Sequence, residues 1–178
     1  GSITGTAAPP VLKLRTGSPP ANCAASDSGT VLASITLPAN WLSDASSGSK
    51  VLAGTWSTTG SATGTAGHYR IYASDGTTCH EQGTAAMQVQ LATSAATSAN
   101  GNVLTFTSTT GVATGLNVSG TGIPTGCTVV AVTSTTVTLS MTSTAGVSSG
   151  ATITFSGDLV LDNTSIASGQ TVGIGTFS

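Results

Sequence analysis

The sequence predicts an all-β chain, a sandwich or jelly-roll-like core that carries a small inserted β-module. Composition is the first reason. The 178 residues include 34 Thr, 25 Ser and 23 Gly, and Thr with the β-branched Val and Ile suits a pleated, half-buried surface. Patterning is the second, because apolar residues recur at every second position between clusters of turn formers. The third is the lack of a helical period. No dozen residues hold apolar positions at i, i+3, i+4 and i+7, and the alanines of Ala92 to Ala99 alternate with Ser and Thr that favour a linker. A mean hydropathy of +0.29 separates the chain from disordered sequences, which combine low hydropathy with high net charge.

The elements follow in order. Val11 to Arg15 alternates and stops at Thr16-Gly17-Ser18-Pro19-Pro20, a turn with two prolines. Val31 to Leu37 puts Val31, Ala33, Ile35 and Leu37 on one face before Pro38. Lys50 to Trp56 reads as a third strand, with Trp56 as a core anchor. Tyr69 to Ala73 turns Tyr69 and Ile71 to one side and Arg70 and Tyr72 to the other. Ser74-Asp75-Gly76-Thr77 then signals a hairpin into a return strand from Thr78 to Gln82. Ala86 to Leu91 extends the pattern through Met87, Val89 and Leu91. Thr93 to Asn102 reads as a linker of small residues, and no charge appears from Val103 to Phe155. That stretch still holds strands at Val103 to Phe106, Thr128 to Thr133, Thr136 to Met141 and Ala151 to Phe155. Charge returns at Asp158 and Asp162, around Leu159 to Leu161. The simplest arrangement is a β-sandwich core domain of residues 1–94 and 156–178, interrupted by a β-module over 95–155.

Charged residues are 6% of the chain against about a quarter in an average domain, so the side chains that build enzyme sites are scarce. With a net charge of −2, and with Lys13, Arg15, Lys50 and Arg70 scattered along the chain, no nucleic-acid footprint is expected. No apolar run approaches the ~20 residues that span a bilayer. Gly1-Ser2-Ile3-Thr4-Gly5 lacks the basic start and apolar stretch of a signal peptide. Cys23, Cys79 and Cys127 are odd in number and contain no C-x-x-C pair. Three reduced, buried thiols acting as small hydrophobes are expected, with one disulfide plus a free thiol as the alternative.

Cys79-His80-Glu81 is the one tight group of residue types that do chemistry. On a regular strand Cys79 and Glu81 share a face while His80 points away, so the group reads as a hairpin edge. His68 reads as a hydrogen-bonded structural histidine. Asp158, Asp162 and Asn163 match no calcium-loop spacing and read as turn and strand-end residues. Asn117-Val118-Ser119 and Asn163-Thr164-Ser165 fit the glycosylation pattern, a match expected by chance in a chain this rich in Ser and Thr. No G-x-S-x-G elbow and no phosphate-binding glycine loop with Lys occurs. No catalytic, cofactor or metal residue is assigned, and the chain is not expected to be an enzyme.

Three segments carry a family resemblance. They are Leu12-Lys13-Leu14-Arg15-Thr16-Gly17, the stretch from Gly64-Thr65-Ala66-Gly67-His68-Tyr69-Arg70 to Asp75-Gly76-Thr77, and Gly157-Asp158-Leu159-Val160-Leu161-Asp162-Asn163 through Val172. Together they resemble the framework of a group of small β-rich tailed-phage structural proteins, over about half the chain. The resemblance implies a non-enzymatic capsid decoration or cement role at the outer capsid surface. The implied partners are the major capsid protein and copies of the chain itself, with neither nucleic acid nor membrane.

The chain departs from that family's pattern in two respects. About sixty residues separate the hairpin strands from Gly157-Asp158, and no helical segment precedes Thr6. In Thr107-Ser108-Thr109-Thr110-Gly111-Val112 and Gly120-Thr121-Gly122-Ile123-Pro124 the added stretch is similar to Thr-rich β-modules of phage tail fibres and bacterial surface proteins. The rival expectation is therefore a tail-fibre or surface adhesin that stacks exposed aromatics, Trp41 among them, on host glycans. A third is a self-assembling extracellular filament subunit. Under the decoration reading the insert is expected to touch neighbouring copies, because open, uncharged β-edges projecting outward invite aggregation.

Overall fold

The computed structural model describes residues 8–45 and 50–177, so the readings of Gly1 to Gly5 and of the stretch before Thr6 lie outside the described residues. Within them the chain is all-β and sandwich-like, with no helix. It divides into two compact units, Gly1–Met87 with Asp158–Ser178, and Gln88–Gly157.

The strands run β1 (Val11–Thr16), β2 (Val31–Thr36), β3 (Ser57–Thr59), β4 (Gly64–Tyr72) and β5 (Cys79–Ala86). Next come β6 (Val89–Ala92), β7 (Val103–Thr105), β8 (Asn117–Ser119), β9 (Val129–Val132), β10 (Thr136–Leu139) and β11 (Thr152–Ser156). The last are β12 (Leu159–Leu161), β13 (Ser165–Ile166) and β14 (Thr171–Phe177).

The first unit is one sheet in the order β2-β1-β4-β5-β12-β14-β3, with β13 also paired to β4. Its two ends meet where the Ser61 amide donates to the Leu32 carbonyl at 2.8 Å. Tyr69 and Ile71 point into a core with Leu12, Leu14, Leu32 and Ile35, as alternation along β4 requires. Trp56 is buried there, but the strand expected over Lys50 to Trp56 is not formed. Leu52 makes an isolated bridge with Leu42, and β3 starts one residue after Trp56. The Trp56 indole N–H donates to the Ala53 carbonyl at 3.1 Å, folding the backbone back on itself at the position where a strand would continue straight.

Two three-stranded antiparallel sheets, β7-β10-β9 and β6-β11-β8, make the second unit. They join along two seams. On one side the Ser94 amide donates to the Thr105 carbonyl at 2.8 Å, beside the Thr93–Phe106 bridge. On the other, Val118 donates to Cys127 at 2.8 Å and Val129 to Leu116 at 2.9 Å. The ring β6-β11-β8-β9-β10-β7 therefore closes on itself, and each sheet edge meets another strand. Inside are Leu104, Phe106, Val118, Val137, Leu139, Ile153 and Phe155, all buried, with the rings of Phe106 and Phe155 edge to face at 5.8 Å.

This arrangement moves the expected border of the insert. β6 lies in the second unit because its ladder partner is β11, so the border falls at Gln88 rather than 95. Thr93 to Asn102 is no loose linker either. Thr93 is buried, with its hydroxyl donating to the Ser148 carbonyl at 2.7 Å, and Thr97 and Val147 exchange two backbone hydrogen bonds of 2.8 Å.

Candidate functional site

The outer face of β1 and β4 collects the side chains that alternation turns away from the core: Lys13, Arg15, His68, Arg70 and Tyr72. Over it runs the β1–β2 connection, residues 17–30, long enough to be unusual for a structureless loop. None of its residues is fully buried, yet beneath it Arg70 is only 1% exposed and Arg15 6%. We call this segment the strap.

A buried guanidinium needs acceptors, and the strap supplies them. Arg70 Nη2 donates to the Cys23 carbonyl at 2.8 Å, and Arg70 Nη1 to the Ala25 carbonyl at 3.2 Å. Arg15 Nη1 donates to the carbonyls of Ser28 at 3.1 Å and Gly29 at 3.2 Å. One oxygen of the Asp27 carboxylate takes Arg15 Nη2, and the other takes Arg70 Nη1 and the Tyr72 hydroxyl, the last at 2.7 Å. Burial pushes the Asp27 carboxyl upward, but the Tyr72 hydrogen bond and the two guanidiniums outweigh it and hold the carboxyl below its usual range. Lys13 Nζ lies 4.6 Å from the Tyr72 ring centroid and donates to the Gly76 carbonyl at 2.7 Å.

His68 is fully buried, with Nδ1 2.9 Å from the Gly17 carbonyl. A carbonyl only accepts, so the proton sits on Nδ1 and Nε2 is left as the acceptor. Burial lowers the His68 pKa, which the Gly17 bond partly offsets, and the ring is neutral. It is the structural histidine its sequence context suggested.

The expectation of three reduced thiols is overturned. Cys23 on the strap and Cys79 on β5 form a disulfide, with Cα atoms 5.2 Å apart, while Cys127 is free and buried in the second unit. Nor do Cys79 and Glu81 share a face. The β4–β5 register slips between Ile71 and Tyr72, which sets Cys79 opposite Tyr72 on the strap side and Glu81 opposite Ile71 on the core side. His80 is exposed. The scatter of basic residues is likewise a property of the chain, not of the fold, since Lys13, Arg15 and Arg70 converge on one face.

On the core side, the Tyr69 hydroxyl donates to Glu81 at 3.4 Å. Burial raises both the Glu81 and Tyr69 pKa values. Gly83 makes room for this meeting, because a Cβ there would lie 2.5 Å from Asp158 Oδ2 and 2.8 Å from the Tyr69 ring. Asp158 accepts from the Thr84 amide at 2.8 Å and from its hydroxyl at 3.0 Å, tying β5 to the chain entering β12. Asn163 closes a turn with Ser165, Asp162 is exposed, and Val118 of the Asn117 triplet is a core residue. Among the described residues, no three His, Cys, Asp or Glu side chains converge as metal ligands would.

Apart from Tyr72, which lies beneath the strap, the aromatic residues point inward. Trp41, Trp56, Tyr69, Tyr72, Phe106 and Phe155 are buried, and Phe177 packs on the first core with its ring 5.6 Å from Trp41. An open groove of about 220 Å³ lies between Lys50, Val51, Leu52 and Gly175, Thr176, Phe177, below the 300–1,000 Å³ common for ligand sites.

No known protein family, curated protein or solved structure matches the chain.

The polar cluster thus has its nucleophile tied up as a disulfide and its histidine and arginines spent on the strap's carbonyls. What these groups do in the structure is hold the strap. Chain position hides this site, because Asp27 lies 12 residues from Arg15 and 43 from Arg70. The signal that was available is a long loop bearing one Asp and one Cys directly after β1, whose alternate residues Lys13 and Arg15 are basic.

Proposed function

We propose that this chain is a non-enzymatic virion structural protein that decorates or cements a bacteriophage capsid, through contacts with the major capsid protein and with neighbouring copies. The observation that carries the reading is the pairing of a framework unit, where the three resembling segments lie, with a charge-free module spliced between its neighbouring parallel strands β5 and β12. Uncharged hydroxyl surfaces let many copies sit side by side without mutual repulsion. Repetition across a lattice then multiplies weak contacts.

Glycan stacking needs exposed aromatic faces, and the buried Trp41 and Trp56 remove the support for an adhesin. Copy-to-copy contact by the insert was favoured because open edges are hazardous, and a ring with closed edges removes that reason. An outward-facing module is now equally compatible with the decoration role.

Electron cryo-microscopy of the parent virion tests the proposal. Density for this chain over the capsid lattice is the expected result, and density confined to the tail would contradict it. Binding of the chain lacking 88–157 to undecorated capsids tells which unit grips, and retained binding is expected.

A further inference from the structure

We propose that the Cys23–Cys79 disulfide is a thiol-reducible latch that closes the 17–30 strap over the cationic face of β1 and β4. The strap buries no apolar side chain of its own, so hydrophobic burial does not hold it down. Polar ties and one covalent bond do. Segments held this way form local opening units whose stability is separable from that of the core.

The environment of the disulfide favours exchange with an external thiol. Cys23 and Cys79 are half-buried, and the Cys23 neighbours Asn22 and Ala24 are exposed, so a small reagent reaches Cys23. Arg70 Nε donates to Cys79 Sγ at 3.2 Å. A guanidinium beside a sulfur stabilises it as thiolate, and exchange is faster when the departing thiolate is the stabilised one. A dithiol's thiolate therefore attacks Cys23 Sγ. The Cys23–Cys79 bond breaks, a mixed disulfide forms at Cys23, and Cys79 leaves as a thiolate against Arg70. The second thiol of the reagent then attacks its own mixed-disulfide sulfur and releases Cys23. Two electrons pass to the protein, the reagent becomes a cyclic disulfide, and its two protons end on Cys23 and Cys79.

With the bond broken, the remaining ties are those of Asp27 and the backbone carbonyls to Arg15 and Arg70. Opening uncovers Arg15, His68 and Arg70, which include two of the chain's four basic residues, together with Tyr72.

Hydrogen exchange on the full chain, before and after dithiothreitol without denaturant, tests the latch. The Ala24, Ala25 and Thr30 amides are the reporters, because each donates within the strap or to its β1 anchor. Two new thiols should titrate, and the strap amides should exchange about tenfold faster or more while β1, β2 and β12 keep their protection. Reoxidation should restore the slow rates. Unchanged strap exchange after both thiols appear would overturn the proposal, as would equal acceleration throughout the first unit or resistance of the disulfide to the reagent. The double variant Cys23→Ser/Cys79→Ser should show the fast strap without reductant. If it does not fold, the first unit needs the bond globally and the latch is again overturned.

Discussion

All ten charged residues lie outside residues 88–157, and the two units satisfy their buried polar groups by different means. The first unit works at long range. Arg15, Arg70, Asp27 and the Cys23–Cys79 bond tie a strap to strands far away in sequence, and the bond alone spans 56 residues. The second uses uncharged hydroxyls instead, over comparable separations in sequence. Thr93 caps the Ser148 and Ala151 backbone, Thr109 donates to the Thr133 carbonyl, and Ser143 donates to the Ser98 carbonyl at 3.2 Å. Charge therefore holds a loop down in one unit, and closure of the ring replaces charge in the other.

The sharpest way to separate them is covalent. Breaking the disulfide should free the strap of the first unit alone, speeding exchange of its amides about tenfold or more while the strands beneath keep their protection. The second unit should not change. Peptide-level hydrogen exchange reads both, and an equal acceleration in the second unit would break the comparison.

The reverse perturbation is Leu139→Ala in the core of the ring. Its side chain is 1% exposed, and a Leu deletion at such a site costs about 3 kcal/mol. Protection should fall over β7, β9 and β10 and stay unchanged over β1 and β4.

A smaller effect tests the hydroxyls. Thr93→Val keeps the shape but removes the hydroxyl shared by the Ser148 carbonyl and the Ala151 amide, leaving only their mutual 3.2 Å hydrogen bond, an expected cost of about 1 kcal/mol. Thr138→Val, at a half-buried position, should change stability far less. Equal effects would mean that the hydroxyls act through β-propensity alone.

The smallest expected signal is pH dependence. The folded His68 pKa lies below 6.5, so the unfolded chain binds the extra proton first and first-unit stability falls as pH drops through 6.5. Asp27, also depressed, adds to the loss below pH 3.8. Glu81 acts oppositely. Its raised pKa costs stability above the folded value, and protonation relieves that cost as pH falls toward 4.5. His68→Gln should flatten the slope near pH 6. The second unit holds no Asp, Glu, His, Lys or Arg, so its stability should stay level from about pH 3 to about pH 7.

Much of the framework was legible because alternation reports directly on a half-buried strand. β1, β4 and β10 have the expected faces, β2 keeps Ala33, Ile35 and Leu37 inward but a bulge turns Leu32 in and sets Val31 opposite Arg15, and the Asp75-Gly76 hairpin forms as read, with Asp75 accepting from the Thr77 and Thr78 amides at 2.8 Å. β14 was missed because Gly173 and Gly175 interrupt its pattern. Both glycines lie against Asp162, where a Cβ would come within 3.3 and 3.6 Å of its carboxylate. β8 was hidden by its length of three residues. The strap site was beyond pattern reading altogether, since its members meet only through sheet register and one register slip. Ring closure was equally invisible, because the seams are pairs of backbone hydrogen bonds that no side-chain period encodes.

The central claim is that the chain is two self-sufficient units, and its most direct measurement is the unfolding of residues 88–157 expressed alone. Cooperative thermal unfolding with a β-sheet circular-dichroism signal, unchanged between pH 3 and pH 7, is the predicted result. A chain that shows no cooperative transition, or one whose midpoint moves with pH, would contradict it.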